Sequence, residues 1–337
     1  MIGKIPMDRI LLGHGSGGKM MHQLIREHFS PAFGIVGSGD SALVCVPSNR
    51  LAYTTDSYVV TPLFFPGGNI GDLAVCGTVN DLAVAGAVPL YLTAGFIIEE
   101  GFPLADLKII IASMAEAARQ AKVRIVAGDT KVVNKGKADG IFINTSGIGV
   151  LHEGAEIAAS RIKAGDKVII SGEIGNHGVA IIAERNGLTF DPPVRTDSRP
   201  LNDLVRTMLD ASTDMHFMRD PTRGGLATTL KEAALESGLC IRIQEHVLPI
   251  PPQVKGACGL LGLDPLYVAN EGILLAILES EQAEAVLAAM INHPFGRNAA
   301  IIGDVVETPS RMVLLETAIG GSRIVDMLPG EQLPRIC

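Results

Sequence analysis

Between residues 104 and 121 the apolar positions recur at helical spacing. Leu104, Leu107, Ile111, Met114, Ala115 and Ala118 share one stripe, and Pro103 stands ahead of them as a first-turn residue. This pattern predicts a helix over 104–121. Before it, residues 82–98 read as the end of a buried helix, a Gly-Ala-Val-Pro turn and a strand over 89–96. Short β-rich runs at 123–128 and 140–151 predict two further strands, and the polar segment from His152 to Gly165 then breaks the rhythm. The pattern restarts with a strand at 166–172 and helices near 177–186, 200–211 and 224–237. Strands at 240–246 and 272–278 precede a helix at 280–292, where Ser280 reads as a capping-box start lacking only the acid. Strands at 300–307 and 311–316 close the pattern. Two α/β-type halves are expected, one over 1–155 and one over 156–328. After them comes a tail over 329–337, where Gly330 and Pro334 bracket a stretch without periodicity. Eight extended residues at about 3.3 Å each reach roughly 26 Å.

Composition sharpens this picture. With 47% hydrophobic and 19% charged residues the chain can fill packed cores, so disorder is excluded as its main state. Net charge is −8, no basic block occurs, and 10 Phe, 4 Tyr and no Trp leave few stacking platforms, which argues against nucleic acid as a partner. The cysteines Cys45, Cys76, Cys240, Cys258 and Cys337 are odd in number and widely spaced, with no C-x-x-C. A disulfide framework or zinc site is therefore not expected, and a reducing compartment is. The N-terminus meets charge and Pro too soon for a signal segment. The longest charge-free stretch, Leu82 to Ile98, is split by Pro89 and flanked by Asp81 and Glu99. No membrane span is expected, and the protein is expected to be cytoplasmic.

Two kinds of position suggest chemistry. The loop GHGSGGK at 13–19 fits both G-x-G-x-x-G and G-x-x-x-x-G-K. A Walker loop needs Ser or Thr where this chain has Met20, and a Rossmann turn needs a stronger strand before it than Ile10-Leu11-Leu12 and a helix after it. A flexible cover over a phosphate, or simply a mobile loop, are the readings left. Five aspartates, Asp40, Asp56, Asp81, Asp129 and Asp220, stand at element ends beside Gly, Ser, Thr or Asn within apolar surroundings. An ionised carboxylate there needs a partner. Magnesium bridging phosphate oxygens is one such partner, and helix caps or Asx turns are the alternative.

The segments TTDSYVVTP (54–62), GNIGDLAVCGTVNDLAVAGAVP (68–89), AGDT (127–130) and RDPTRGGL (219–226) resemble the superfamily of aminoimidazole ribonucleotide synthetase, selenophosphate synthetase and thiamine-monophosphate kinase. Within it, HGSGGK (14–19), GDTKVV (128–133) and the terminal PRIC (334–337) resemble the HypE family of hydrogenase maturation proteins. The resemblance implies two α/β domains (α+β), with mixed sheets and helices on one face. It implies a homodimer formed through the N-terminal domains, with ATP near the dimer interface. Asp40, Asp56, Asp81 and Asp220 would hold Mg2+. His14, Gly15, Gly17, Gly18, Lys19, Asp56, Asn69, Asp72, Asn80, Gly128, Asp129, Thr130 and Arg223 would surround the nucleotide. Relatives often carry two adjacent acids where this chain has Asp40-Ser41, so the number of ions is left open.

Members of the HypE family receive a carbamoyl group on the terminal cysteine from the carbamoyltransferase HypF. They dehydrate it with ATP to a thiocyanate and pass cyanide to iron on a HypC–HypD complex. The resemblance makes Cys337 the carrier, its thiol exposed, flexible and flanked by Arg335, which favours the thiolate, while the chain-end carboxylate opposes this. An amide oxygen leaves poorly until it is phosphorylated, and its nitrogen must then give up protons to a base. Lys131 and Glu271 match the family's candidates for that base, and His14 is a weaker one. Another ATP-dependent enzyme of the superfamily, or a scaffold docking partners through PRIC, are the alternatives.

Overall fold

The computed structural model describes residues 8–16, 18–35, 41–212, 214–327, 330 and 335–337. Two residues singled out above, Gly17 and Asp40, lie outside them.

In the first half, α1 (Lys19–Leu24) runs through a π turn (Ile25–Phe29) into α2 (Ser30–Phe33). Then follow β1 (Leu51–Tyr58), a small ribbon of β2 (Phe64–Phe65) and β3 (Gly68–Asn69), and α3 (Ile70–Val84). The half is completed by β4 (Ala87–Glu99), α4 (Leu104–Ala121), β5 (Arg124–Val133) and β6 (Ile141–Leu151). Four strands form one sheet in the order β1-β6-β4-β5, antiparallel except for the parallel pair β4–β5 that α4 connects. Helix α4 buries its stripe, with Leu104, Leu107, Ile111, Met114 and Ala118 all in the core. By contrast α3 is buried nearly all round, because β1 and β6 cover one side while α4 and a helix of the second half cover others. A helix with no exposed face shows no stripe in its sequence.

The second half contains β7 (Lys167–Ile170), α5 (Asn176–Asn186), α6 (Asn202–Ala211), β8 (Met215–Arg219) and α7 (Gly225–Ser237). It continues with β9 (Cys240–Gln244), α8 (Pro252–Leu261), β10 (Leu275–Leu278), α9 (Ser280–Asn292), β11 (Ala300–Val306), β12 (Val313–Glu316) and β13 (Ser322–Val325). Seven of these strands form a mixed sheet in the order β13-β12-β9-β11-β7-β10-β8. Neighbouring residues in its central strands enter different cores: Val168, Ile170, Leu275 and Ile277 pack with α7, while Ile169, Leu274, Ala276 and Leu278 pack with α6 and α9. Helices on one face therefore describe the first sheet, and the second is covered on both.

Some elements differ from the sequence pattern. The helical run from Lys19 to Phe33, β1, the β2–β3 ribbon, β8, α8 and β13 were not foreseen. Ser280 is the first residue of α9 rather than its cap, which is Glu279, and no side chain caps that end. Among the described residues no helix is long and apolar enough to cross a membrane.

Candidate active site

The chain's last three residues lie along the segment that leaves β1, at the edge of the first sheet. Val59 N–H donates to the Cys337 carbonyl (3.2 Å) and Thr61 N–H to the Arg335 carbonyl (3.3 Å), an antiparallel register. Arg335, at φ 53°, sends Nε to the Val59 carbonyl (3.0 Å), pairs with Asp139 and stacks over Phe142. The Ile336 side chain is buried in the first core together with Ile181 and Ala269 of the second half. The expectation of an exposed thiol on a free arm is thus corrected for these residues: Cys337 is half-buried and its thiol is withdrawn from solvent. Burial, then the charge of Glu271, push its pKa well above the ordinary value, while Arg223 pulls the other way. Arg335, held on Asp139, is not the cation that faces the sulfur.

Around that thiol the fold gathers acids from four elements. Asp56 lies near the end of β1, Asp81 in the last turn of α3, and Asp220 just after β8. Glu271 precedes β10. Asp81 accepts from Thr54 Oγ1 (2.9 Å). Burial, reinforced by Asp56, raises the Asp81 pKa. Burial and then Asp81 raise Asp220 to about 7. Glu271 is 2% exposed, and its pKa stands well above the carboxylate range through burial and then the charges of Asp220, Asp197, Asp56 and Asp81. Its Oε1 is buried with no hydrogen-bond partner. Such mutual repulsion in a buried set is what a cation or a proton relieves. Asp56, Asp81 and Asp220 are spaced more widely than the 4.8 Å of a closed ligand set. The closed set among the described residues, Asp166, His216 and Glu279, belongs to the second half, where Asp166 and His216 form a buried 2.7 Å pair.

Residues that the sequence did not single out build this arrangement. Asp197 accepts from the amides of Glu271 (3.3 Å) and Gly272 (3.0 Å). A Cβ on Gly272 would fall 1.7 Å from the Asp197 carbonyl oxygen, so only glycine allows the approach. Asn270 takes the Gly175 amide on its oxygen and donates to the Pro221 and Val268 carbonyls, which ties the loop after Asp220 to Glu271. Their partners are distant in sequence, so no local pattern could reveal them.

Other expected nucleotide residues have duties inside the fold. Both Nδ2 hydrogens of Asn80 go to the Arg199 and Glu271 carbonyls, and its oxygen accepts from Leu201 N–H. Asn80, expected beside the nucleotide, is thus a staple between the two halves. Asn69 and Asp72, which the resemblance sets around the nucleotide, form the capping box that starts α3. His14 is buried in a 3-10 turn with Nδ1 on Leu11 N–H (2.8 Å), not solvated in a loop. Gly15 lies against the Lys131–Val132 backbone of β5, where a Cβ would come within 2.2 Å of the Val132 nitrogen. Gly18 caps α1 and Lys19 begins it.

A cleft of about 920 Å³ opens between the 21–35 helical run, residues 41–45 and β4–β5, with Gly128, Asp129 and Thr130 on one wall. It has the size of a small-molecule pocket. Lys131 Nζ is paired with Asp129 at 2.6 Å. These residues stand on β5, the opposite edge of the sheet from β1, three strand intervals or about 14 Å away. Within one chain, then, the charges of Glu271 and Arg223 act on Cys337, while Lys131 stands at the far edge of the sheet.

Two family models match the chain, the AIR synthase related protein N-terminal domain over residues 38–151 and the AIR synthase related protein C-terminal domain over 163–314. Carbamoyl dehydratase HypE of Bradyrhizobium diazoefficiens is 56% identical over 330 residues, covering 97% of this chain and 95% of that protein. A crystal structure of the hydrogenase maturation protein HypE in complex with ATP superposes with a TM-score of 0.93 at 47% identity, covering 97% of this chain and 99% of that one. HypE in a HypE–HypF complex gives 0.81 at 50% identity, over 90% and 99%. With a docked terminal cysteine, a buried acid cluster and this breadth of similarity, the chain belongs to the HypE family of AIR synthase related proteins.

Proposed function

We propose that this chain dehydrates a carbamoyl group carried on Cys337, using ATP, to a thiocyanate that serves hydrogenase maturation. The observation that carries this reading is the seat of Cys337 beside the unpartnered, fully buried carboxyl of Glu271 and the charge of Arg223. A small-molecule kinase would not seat its own terminus there. The thioester-like carbonyl oxygen attacks the γ-phosphorus, ADP leaves, and the nitrogen loses its first proton. Loss of phosphate with the second proton then leaves S–C≡N. A carboxyl of raised pKa is matched to taking protons from so weak an N–H acid, which assigns Glu271 as the base. Arg223 offsets charge gathering near the sulfur. Asp56, Asp81 and Asp220 would hold magnesium, which neutralises phosphate charge when bound.

The nucleotide cleft and the thiol site stand on opposite sheet edges, and we read this as a site completed by a second copy. Leu51, Tyr53, Val88 and Ile97 are exposed large apolar residues of the same sheet. A two-fold axis along the strands, stacking this sheet on its copy, sets β5 of one chain across from β1 of the other. Gly128, Asp129, Thr130 and Lys131 would then serve the neighbour's Cys337. HypF would load the carbamoyl group on the undocked tail, and a HypC–HypD complex would take the cyanide, all in the cytoplasm.

The test is an intact-mass and peptide-mass measurement on S-carbamoylated protein given ATP and Mg2+. The expected result is loss of one water from the Cys337 peptide, with ADP and phosphate appearing together. ATP turnover with no mass change in that peptide overturns the reading.

A further inference from the structure

Besides the β1 segment, the tail is held by side chains of α5 that play no part in the chemistry above. His177, in the first turn of α5, is fully buried. Its hydrogen bonds form an ordered relay. Ser198 N–H donates to Thr196 Oγ1 (3.0 Å), and the Thr196 hydroxyl faces His177 Nδ1 (2.7 Å). His177 Nε2 meets the Ile336 carbonyl at 2.9 Å. A peptide carbonyl can only accept, so the proton resides on Nε2, and Nδ1 takes the threonine hydrogen. Phe65 fixes the ring edge-on, at 5.7 Å and 87°. Burial pushes the His177 pKa down, which keeps the ring neutral. Further along α5, Arg185 donates to the Thr61 carbonyl (2.6 Å) and to the Arg335 carbonyl (3.0 Å). One helix thus reads two consecutive backbone carbonyls of the tail. Neither contact involves the sulfur, so both are indifferent to what the sulfur carries.

We propose that His177 is a positioning residue, whose bond to the Ile336 carbonyl seats the tail so that the group on Cys337 is presented to Glu271. The same seat accepts the free thiol, its acylated form and the product. The docking half of this inference stands on the geometry, and its link to rate rests on the dehydratase reading.

The experiment uses the full chain without nucleotide and follows iodoacetamide alkylation of Cys337 by peptide mass, with exposed Cys45 as the internal reference. Reaction proceeds through the undocked fraction. Loss of one buried hydrogen bond, a net contribution of about 1 kcal/mol, predicts that His177→Leu alkylates Cys337 roughly five- to tenfold faster with Cys45 unchanged. His177→Gln, which keeps an N–H donor, is expected to return the rate toward wild type. Single-turnover dehydration of carbamoylated His177→Leu should also slow severalfold at unchanged ATP affinity, because a tail docked without this bond no longer holds the carbamoyl group on Glu271. Equal alkylation in wild type and His177→Leu overturns the inference, as does a glutamine variant no better than leucine. Faster alkylation with an unaltered single-turnover rate overturns the positioning role. If carbamoylated wild type itself yields no product, the dehydratase reading has failed, and the alkylation arm still decides docking. Should His177→Leu not fold, Thr196→Val removes the hydroxyl that orients the ring and is expected to show the same acceleration.

Discussion

Glu271 and Asp220 are carboxyls that the fold keeps from water and sets among other acids, and this has a measurable cost. Asp220, raised to about 7, binds its proton more tightly in the folded chain than in the unfolded one. Its contribution to stability is therefore full below about pH 4 and is lost as pH rises through 7. The nucleotide-free protein should melt a few degrees lower at pH 8 than at pH 6, and Asp220→Asn should remove much of that difference while abolishing turnover. Glu271→Gln keeps the shape and removes a buried carboxyl from a cluster of acids, so the chain should fold and bind ATP. Its single-turnover rate should fall by about 10²–10⁴-fold if Glu271 is the base. Asp56, Asp81 and Asp220 could be picked out in the sequence because an acid among small and apolar residues needs a reason. Asn69, Asp72 and Asn80 entered through the family resemblance alone, and in the fold they serve as a helix cap and an interdomain staple. His177 gave none, because its partner Ile336 is 159 residues away.

At the level of elements, the periodicity that predicted α4 and α9 comes from one-sided burial, and it fails for α3, which has no outer side. The tail is a further case. It carries no strand pattern of its own, yet it takes up hydrogen bonds left over by an edge segment. Asp139→Ala removes the partner of Arg335, so it should raise the alkylation rate of Cys337 severalfold without shifting the melting temperature by more than about 2 °C, since a part-exposed ion pair contributes little to global stability. The parallel pairing of β4 and β5 is close at Gly128, where a Cβ would lie 2.4 Å from the Ala94 carbonyl oxygen. Gly128→Ala should lower stability by about 1–3 kcal/mol in urea unfolding and impair ATP binding with it.

Across the whole molecule, the sheet order distributes the candidate residues over two edges. That division could not be read from spacing, because strand order is not written in chain order: β6 lies between β1 and β4. If two copies complete each site, mixing Lys131→Ala with Glu271→Gln leaves one intact site in every mixed dimer. Random exchange should then restore about a quarter of wild-type dehydration from two inactive proteins. No recovery on mixing would place Lys131 and Glu271 in the service of the same chain's tail.

The docked tail also bears on how a reactive sulfur is stored. Oxidants and electrophiles react with exposed thiolates, and Cys337 in its seat is neither exposed nor ionised. A carrier sulfur docked in this way is sheathed between loadings, and exposing it requires only that residues 335–337 leave the segment after β1.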